Sequence, residues 1–161
     1  MTTELIVFDF NNMAMAKDFI ELMDSYACDP MGGSQPLAED VKQCLVAELA
    51  KRCDVVSVLC YVEHQPAGLM TAIEGFSTFN AKPLLNIHDV IVLAPFRGLG
   101  ISQLMLQKIE DIAQTRGCCK LTLEVLTGNN GAQQAYKKFG FKAYELDPKM
   151  GSAVFLEKII V

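Results

Sequence analysis

The stretch PFRGLGIS, residues 95–102, lies between an apolar run and a segment with helical periodicity, and it decides how the chain is interpreted. The preceding run, LLNIHDVIVL, has the near-continuous apolar character of a strand that is covered on both faces. The following segment repeats apolar residues at three- and four-residue intervals, which is typical of an amphipathic helix. Gly98 and Gly100 therefore stand where a strand should turn into a helix.

The residues that enter this helix include no good side-chain cap. The first turn of a helix leaves about four backbone N–H groups without partners, and Ser, Thr, Asp or Asn usually caps some of them. Residues 97–100 are Arg-Gly-Leu-Gly, and the two glycines lack the Cβ atoms that would keep a ligand away from the backbone. The sequence therefore predicts an anion site at the positive end of the helix dipole.

Two common nucleotide-binding motifs do not fit this junction. A P-loop requires GxxxxGK[ST], and the chain contains no such string. The dinucleotide fingerprint GxGxxG has Gln103 at its third glycine position here, where glycine normally permits close packing of helix and strand. The junction also lies past the middle of the chain, behind a predicted hairpin, which argues against a dinucleotide fold.

RGLGIS, residues 97–102, resembles the R/Q-x-x-G-x-G/A signature of the GCN5-related N-acetyltransferase (GNAT) family, with Ser102 at the usual Gly or Ala position. A second stretch, NNGAQQAYKKFGF, residues 129–141, resembles the family pattern N-x-x-A-x-x-x-Y-x-K-x-G-F. The matching positions are Asn129, Ala132, Tyr136, Lys138, Gly140 and Phe141. The order of predicted elements is similar to that of the family as well, so the resemblance covers nearly the whole chain.

The resemblance implies an α/β (α+β) fold, the GNAT fold, with a mixed central sheet of about six or seven strands flanked by about four helices. The apolar patterns predict strands over residues 5–10, 54–62, 67–79, 82–93, 120–126, 140–146 and 153–161. They predict helices over residues 12–26, 38–52, 98–116 and 130–139, with Val41, Leu45 and Leu49 inward on the second helix. No internal repeat or linker interrupts them, so we expect a single acyl-CoA N-acyltransferase domain over residues 1–161.

Composition narrows the class of protein. The chain has 161 residues, of which 51% are hydrophobic and 20% charged, so we expect a globular domain rather than a disordered chain. A net charge of −5 without a basic stripe argues against nucleic acid as a partner. The six cysteines form no CxxC pair and the histidines number two, so we expect reduced thiols and no metal. Neither a membrane span nor a secretory signal is visible, and a cytoplasmic location follows by default.

The resemblance implies acetyl-coenzyme A as the co-substrate. In the family the backbone amides of this loop bind the pyrophosphate; here they belong to Gly98, Leu99, Gly100, Ile101, Ser102 and Gln103. Arg97 then lies at the mouth of the loop, where its side chain contacts phosphate or is solvated. The backbone of the strand before the loop pairs with the pantetheine arm, and its residues here are Val90, Ile91 and Val92. The competing interpretation of these three residues is an ordinary core strand, and the two are compatible.

The second signature supplies further coenzyme contacts and the acid. Asn129 and Ala132 match positions near the pantetheine, although Asn129 also suits a helix N-cap. Tyr136 matches a tyrosine that lies near the coenzyme A sulfur in many members of the family, and a phenol with an unperturbed pKa of about 10 suits a thiolate leaving group. The competing interpretation of Tyr136 is a core residue of the short helix.

His88 is the first candidate for the general base. Its unperturbed pKa of about 6.5 suits proton removal near neutral pH. Simple alternation along the strand places His88, Val90 and Val92 on one face and Ile87, Asp89 and Ile91 on the other. The alternative is a structural histidine at a β-bulge, beside a structural Asp89. Glu124, Glu74 or a water molecule are the other possible bases.

Acceptor recognition falls to the loop CDPMGGSQP, residues 28–36, which corresponds to the most variable region of the family. The residues that could shape an acceptor pocket are Asp29, Met31, Glu39, Asp40, Phe76 and Phe79. The competing interpretation is an ordinary mobile surface loop.

The resemblance therefore implies an N-acetyltransferase that acts on a primary amine of a small molecule or a peptide, by direct attack in a ternary complex. One alternative is a non-catalytic acyl-CoA-binding sensor or regulatory module. Another is a protein-lysine or N-terminal acetyltransferase. The apolar last strand suggests a homodimer.

Overall fold

The computed structural model describes residues 2–160, so Val161 of the predicted last strand and both ends of the predicted domain lie outside the described residues. The chain separates into two compact units, one up to Leu123 and one from Glu124 onward. The single-domain organisation stays a prediction, and each unit has its own architecture.

The first unit contains a five-stranded sheet, three α-helices and a short 3-10 turn (Ala94–Phe96). Its elements are β1 (Thr3–Val7), α1 (Ala16–Cys28), α2 (Glu39–Ala50), β2 (Val55–Val62), β3 (Gln65–Ser77), β4 (Lys82–Val92), α3 (Ile101–Thr115) and β5 (Leu121–Leu123). The strands lie in sequence order; β1 to β4 are antiparallel to their neighbours, and β4 and β5 are parallel. This is the mixed sheet that the resemblance implies.

Helices cover both faces of this sheet. One core cluster joins Phe19 and Leu22 of α1 to Leu59, Leu69 and Ile91 of the sheet. The neighbouring Gly68 faces the other way, toward side chains of α3. Each fully buried leucine or phenylalanine of such a core contributes about 1.5–3 kcal/mol relative to an exposed side chain. The two layers therefore hold β4 between them and fix the direction in which the chain leaves it.

A β-bulge in β4 breaks the simple alternation predicted for this strand. Asp89 pairs with Thr71, but the next residue of β3, Ala72, pairs with Ile87, so His88 is the extra residue. Because paired residues share a face, Asp89 lies on the same face as Ile91, as predicted, and this face is the one that α1 and α2 cover. Ile87, however, joins Val90 and Val92 on the α3 face, and its predicted place beside Asp89 is wrong.

The second unit contains α4 (Asn130–Phe139) and a short 3-10 turn (Pro148–Met150), and its described residues form no strand. The strands predicted over residues 140–146 and 153–160 are therefore wrong, and the sheet has five strands rather than six or seven. Apolar and β-branched residues form a strand only where a paired edge satisfies the backbone. Here side chains such as Phe155 and Ile160 are exposed instead.

Other differences concern element ends. α1 begins at Ala16 rather than near residue 12, because Asp9 and Asn12 hold residues 9–14 in turns through bonds to backbone N–H groups. α3 begins at Ile101 rather than at residue 98, and β5 has three residues instead of seven. Val41 of α2 is exposed rather than inward, and Val46 is the buried residue of that helix.

Candidate active site

The loop between β4 and α3 has the backbone that its glycines predict. Gly98 and Gly100 have φ values of +81° and +80°, in the left-handed region that favours glycine. A Cβ built on either residue would meet no atom within 4 Å, so the space beside the backbone is open. The glycines are therefore needed for the left-handed backbone and leave it accessible to a ligand; they are not needed for close packing against other residues.

Consecutive amides of this loop lack acceptors. Within the described residues, the N–H groups of Gly98, Leu99, Gly100, Ile101 and Ser102 donate to no protein atom. The amide of Gln103 differs, because it donates to the carbonyl of Gly100 at 3.0 Å. Successive N–H groups around left-handed residues form a concave anion-binding site. The loop thus offers such a site from residue 98 to residue 102.

Electrostatics favour an anion at the same place. α3 has 15 residues, has no side-chain cap at Gly100 and has no acidic residue in its first turn. The aligned peptide dipoles place roughly half a positive charge at such an end. A diphosphate would meet both this charge and the unpaired N–H groups.

Arg97 is held along one edge of its guanidinium. Its Nε donates to the carbonyl of Val92 at 2.9 Å, and its Nη2 donates to Oδ2 of Asp29 at 2.9 Å. The N–H of Met31 and then Arg97 hold the pKa of the Asp29 carboxyl below its usual range. The sequence predicts Asp29 as an acceptor-side residue, and the structure places it against the loop that precedes α3. Nothing in the sequence could signal this contact, because the two residues lie 68 positions apart.

β4 offers a free edge beside the loop. β5 pairs with it only at Leu85, Asn86 and Ile87. From the bulge onward, no strand of the described chain pairs with β4 on that side. The backbone groups of Val90 and Val92 on that edge, apart from the Val92 carbonyl that Arg97 uses, are thus open to an extended ligand, while the side chain of Ile91 belongs to the core. Both interpretations offered for this strand are consistent with its geometry.

The ionisable groups near the bulge have different environments. His88 is exposed, whereas burial raises the pKa of the neighbouring Asp89. Burial also raises the pKa of Tyr26, and the charges of Asp89 and Asp29 raise it further. Glu74 forms an ion pair with Arg116 at 3.0 Å, which makes it a poor candidate for a free base.

The two aromatic residues predicted to shape the acceptor pocket lie far from Asp29. Phe76 is near the end of β3 and Phe79 is in the β3–β4 turn, and both are exposed. β4 separates this turn from Val92 by 11 residues, or about 35 Å of extended chain. They therefore lie at the far end of the strand from the loop that holds Asp29.

In the second unit, the residues of the second signature form α4 and its two caps. Oδ1 of Asn129 accepts the N–H of Ala132 at 3.1 Å and caps the helix. At the other end Gly140 has a φ of +113°, and the N–H of Phe141 donates to the carbonyl of Tyr136. The ring of Phe141 also packs edge-on against Tyr136, which is buried. This part of the pattern describes a complete short helix with both caps.

The first unit thus brings together residues 90–92 and 97–103, with Asp29 added, and the second unit holds Asn129, Ala132 and Tyr136 on one helix.

In the described part of the chain, no group of three or more His, Cys, Asp and Glu side chains is placed to hold a metal ion. None of the helices among residues 2–160 has the length and hydropathy that crossing a bilayer requires.

Comparison with known proteins finds a match to the family described as "Acetyltransferase (GNAT) family" over residues 19–141. The glucosamine 6-phosphate N-acetyltransferase of Trypanosoma brucei brucei is 27% identical over 68% of this chain and 75% of its own length. The thialysine N-epsilon-acetyltransferase of Bos taurus is 31% identical over 60% of this chain, and the match spans about half of that enzyme, 54%.

A solved structure with a similar fold is AAC(6')-Iy in complex with the bisubstrate analog CoA-S-monomethyl-acetylneamine. It superimposes with a TM-score of 0.79 over 99% of this chain and 100% of that chain, at 14% sequence identity. At this identity the similarity shows the fold.

Proposed function

Because this chain belongs to the acetyltransferase (GNAT) family, we propose that it transfers an acetyl group from acetyl-coenzyme A to a primary amine. The five consecutive free amides at residues 98–102 are the observation that carries the proposal. A diphosphate binds best where several hydrogen-bond donors lie close together, and these backbone N–H groups meet that requirement. The free edge of β4 next to them suits the extended pantetheine arm.

The reaction needs one base and one acid. We propose direct attack in a ternary complex: the amine nitrogen forms a bond to the acetyl carbon, the bond from that carbon to sulfur breaks, and the thiolate takes up a proton. Tyr136 is the proposed acid and His88 the proposed base, with Glu124 or a water as the alternative bases. The exposure of His88 at the bulge supports this role, because an exposed imidazole exchanges its proton with solvent.

A small amine is the favoured acceptor. Two of the relatives that match 60% or more of this chain are named for glucosamine 6-phosphate and thialysine, both of them small molecules. The carboxylate of Asp89 lies near Tyr26, on the face of the sheet that α1 covers, and it would favour a cationic molecule there, whereas the charge of Asp29 is already paired with Arg97. A peptide amine is the other acceptor class to be tested.

The proposal is tested by titration calorimetry with coenzyme A, followed by a screen of amines with acetyl-coenzyme A. The panel contains glucosamine 6-phosphate, thialysine, an aminoglycoside, a polyamine and a lysine-containing peptide. The acetylated product should be detected by mass spectrometry rather than by a disulfide reagent that reports thiol release. The exposed thiols of Cys28, Cys44 and Cys53 would react with such a reagent themselves. Absence of coenzyme A binding would refute the proposal. Binding without acetylation of any amine would favour the non-catalytic sensor.

A further inference from the structure

The bond between Asp29 and Arg97 joins the loop after α1 to the loop before α3. From this geometry, and resting on the proposed function, we propose that Asp29 is a positioning residue, which holds the Arg97 guanidinium in place for the coenzyme A diphosphate. Residues 29–37 then form part of the coenzyme site. The sequence predicts an acceptor loop or an ordinary mobile surface loop over residues 28–36.

Arg97 is bound along one side of its guanidinium. Nε and Nη2 are used by the Val92 carbonyl and the Asp29 carboxylate. Within the described chain Nη1 has no protein acceptor, and 54% of the side chain is exposed. Because Arg97 directly precedes the free amides, its remaining donors are available to a phosphate bound there.

Asp29 is built into its loop more firmly than a surface carboxylate. Its Oδ1 accepts the N–H of Met31 at 2.8 Å, and its carbonyl accepts the N–H groups of Gly32 and Ser34. Only 20% of the side chain is exposed. A carboxylate fixed in this way loses little further entropy when it holds an arginine.

The loop itself is anchored at both ends. A Cβ at Gly32 would lie 1.9 Å from the carbonyl oxygen of Tyr26, so the loop lies directly on the end of α1. At the other end Oδ1 of Asp24 accepts the N–H of Leu37 at 2.8 Å, while Oδ2 of Asp24 lies 3.1 Å from Nζ of Lys42. These contacts are not those of a mobile surface loop. A displaced Asp29 would require several of them to break.

The sign of the effect distinguishes positioning from its alternatives. Asp29 is negative and lies close to a site for an anion, so its charge alone would weaken diphosphate binding. Competition between Asp29 and the diphosphate for Arg97 would weaken it as well. Under either alternative, Asp29→Asn tightens coenzyme A binding. Under positioning, the same substitution loosens it.

The experiment measures coenzyme A affinity by titration calorimetry for the full chain, for Asp29→Asn, for Arg97→Ala and for the double variant. We expect affinity to fall about tenfold in each single variant. The double variant should be no weaker than Arg97→Ala alone, because Asp29 acts through Arg97. Tighter or unchanged binding in Asp29→Asn, or additive losses in the double variant, would overturn the proposal while leaving the proposed function intact.

Two controls separate positioning from damage to the fold. Asp54→Asn removes the same charge from another Arg–Asp pair, Arg52–Asp54. This pair lies at the end of the sheet away from Val92, so the variant should leave the affinity for coenzyme A unchanged. Acetyl-pantetheine lacks the diphosphate, so Asp29→Asn should raise KM for acetyl-coenzyme A but not for acetyl-pantetheine. An equal rise for both donors would mean that Asp29 is merely structural. If the unaltered chain binds no coenzyme A, the proposed function fails, and this inference fails with it.

Discussion

The N-termini of α3 and α4 differ in how their backbone N–H groups are satisfied. Asn129 caps α4 with its side chain, whereas α3 begins after Gly100, in a left-handed conformation and without a side-chain cap. Asp18 in α1, and Glu39 and Asp40 in α2, place acidic side chains in the first turn. Among the α-helices of residues 2–160, α3 alone has neither a cap nor an acidic residue there.

This difference has a cost in stability and, under the proposed function, a use in binding. A missing N-cap costs about 0.5–2 kcal/mol. An anion that binds the native loop offsets this cost, because any ligand of the native state stabilises it by mass action. The uncapped N-terminus of α3 is therefore typical of a binding site, and the capped N-terminus of α4 is typical of a helix that only has to fold. The predictions below test this contrast.

The largest effect is expected from Gly100→Asp. The new carboxylate would stand at the N-cap position of α3, accept its free amides and repel a diphosphate. We expect coenzyme A affinity to fall by more than about 100-fold, while the unfolding temperature changes little because the cap offsets the left-handed strain. Titration calorimetry and thermal unfolding measure the two quantities.

Gly117→Asp is the matched control for this variant. Gly117 lies just after the other end of α3, has a φ of +70° and has open space where a Cβ would stand. It therefore shares the backbone strain and the added charge, but not the free amides. Unchanged affinity in Gly100→Asp, or an equal loss in Gly117→Asp, would show that α3 does not bind the coenzyme at its N-terminus.

Tyr136→Phe should have the next largest effect. Phenylalanine keeps the ring and its packing against Phe141 but removes the proposed acid. We expect kcat to fall about 100-fold while the affinity for coenzyme A is retained. Steady-state kinetics and calorimetry on the same preparation separate the two. If kcat is unaffected, Tyr136 serves α4 as a core residue, and this helix has no part in the chemistry.

The smallest effect is expected from Asn129→Ala, which removes the cap of α4. The loss should be about 1 kcal/mol of local stability, measured as faster hydrogen–deuterium exchange across residues 130–139. Asn130→Ala is the control, because Asn130 is the adjacent exposed residue inside the helix. A rise in KM for acetyl-coenzyme A without faster exchange would instead assign Asn129 to the pantetheine, as the family resemblance implies.

Local patterns in the sequence were sufficient where neighbouring residues determine the structure. α4 spans the predicted residues 130–139, because its N-cap, its C-terminal glycine and the periodicity between them all lie within the quoted motif. The same holds for the open N-terminus of α3, where two glycines allow the left-handed turn and the missing cap leaves the amides free. Interactions between residues close together in the chain determine these features, so the sequence alone is enough to predict them.

Only the tertiary structure decided the features that depend on residues far apart in the chain. The sequence offers a β-bulge at His88 only as an alternative to simple alternation, and the register of β4 against β3 decides between the two. The closing strands fail to form because the residues around them, not their own β propensity, determine whether a paired edge exists. The bond between Asp29 and Arg97 depends on two loops that the packing of α1 and β4 brings together. The physical reason is common to all three: hydrogen bonds between distant segments form only after burial has fixed the positions of their elements.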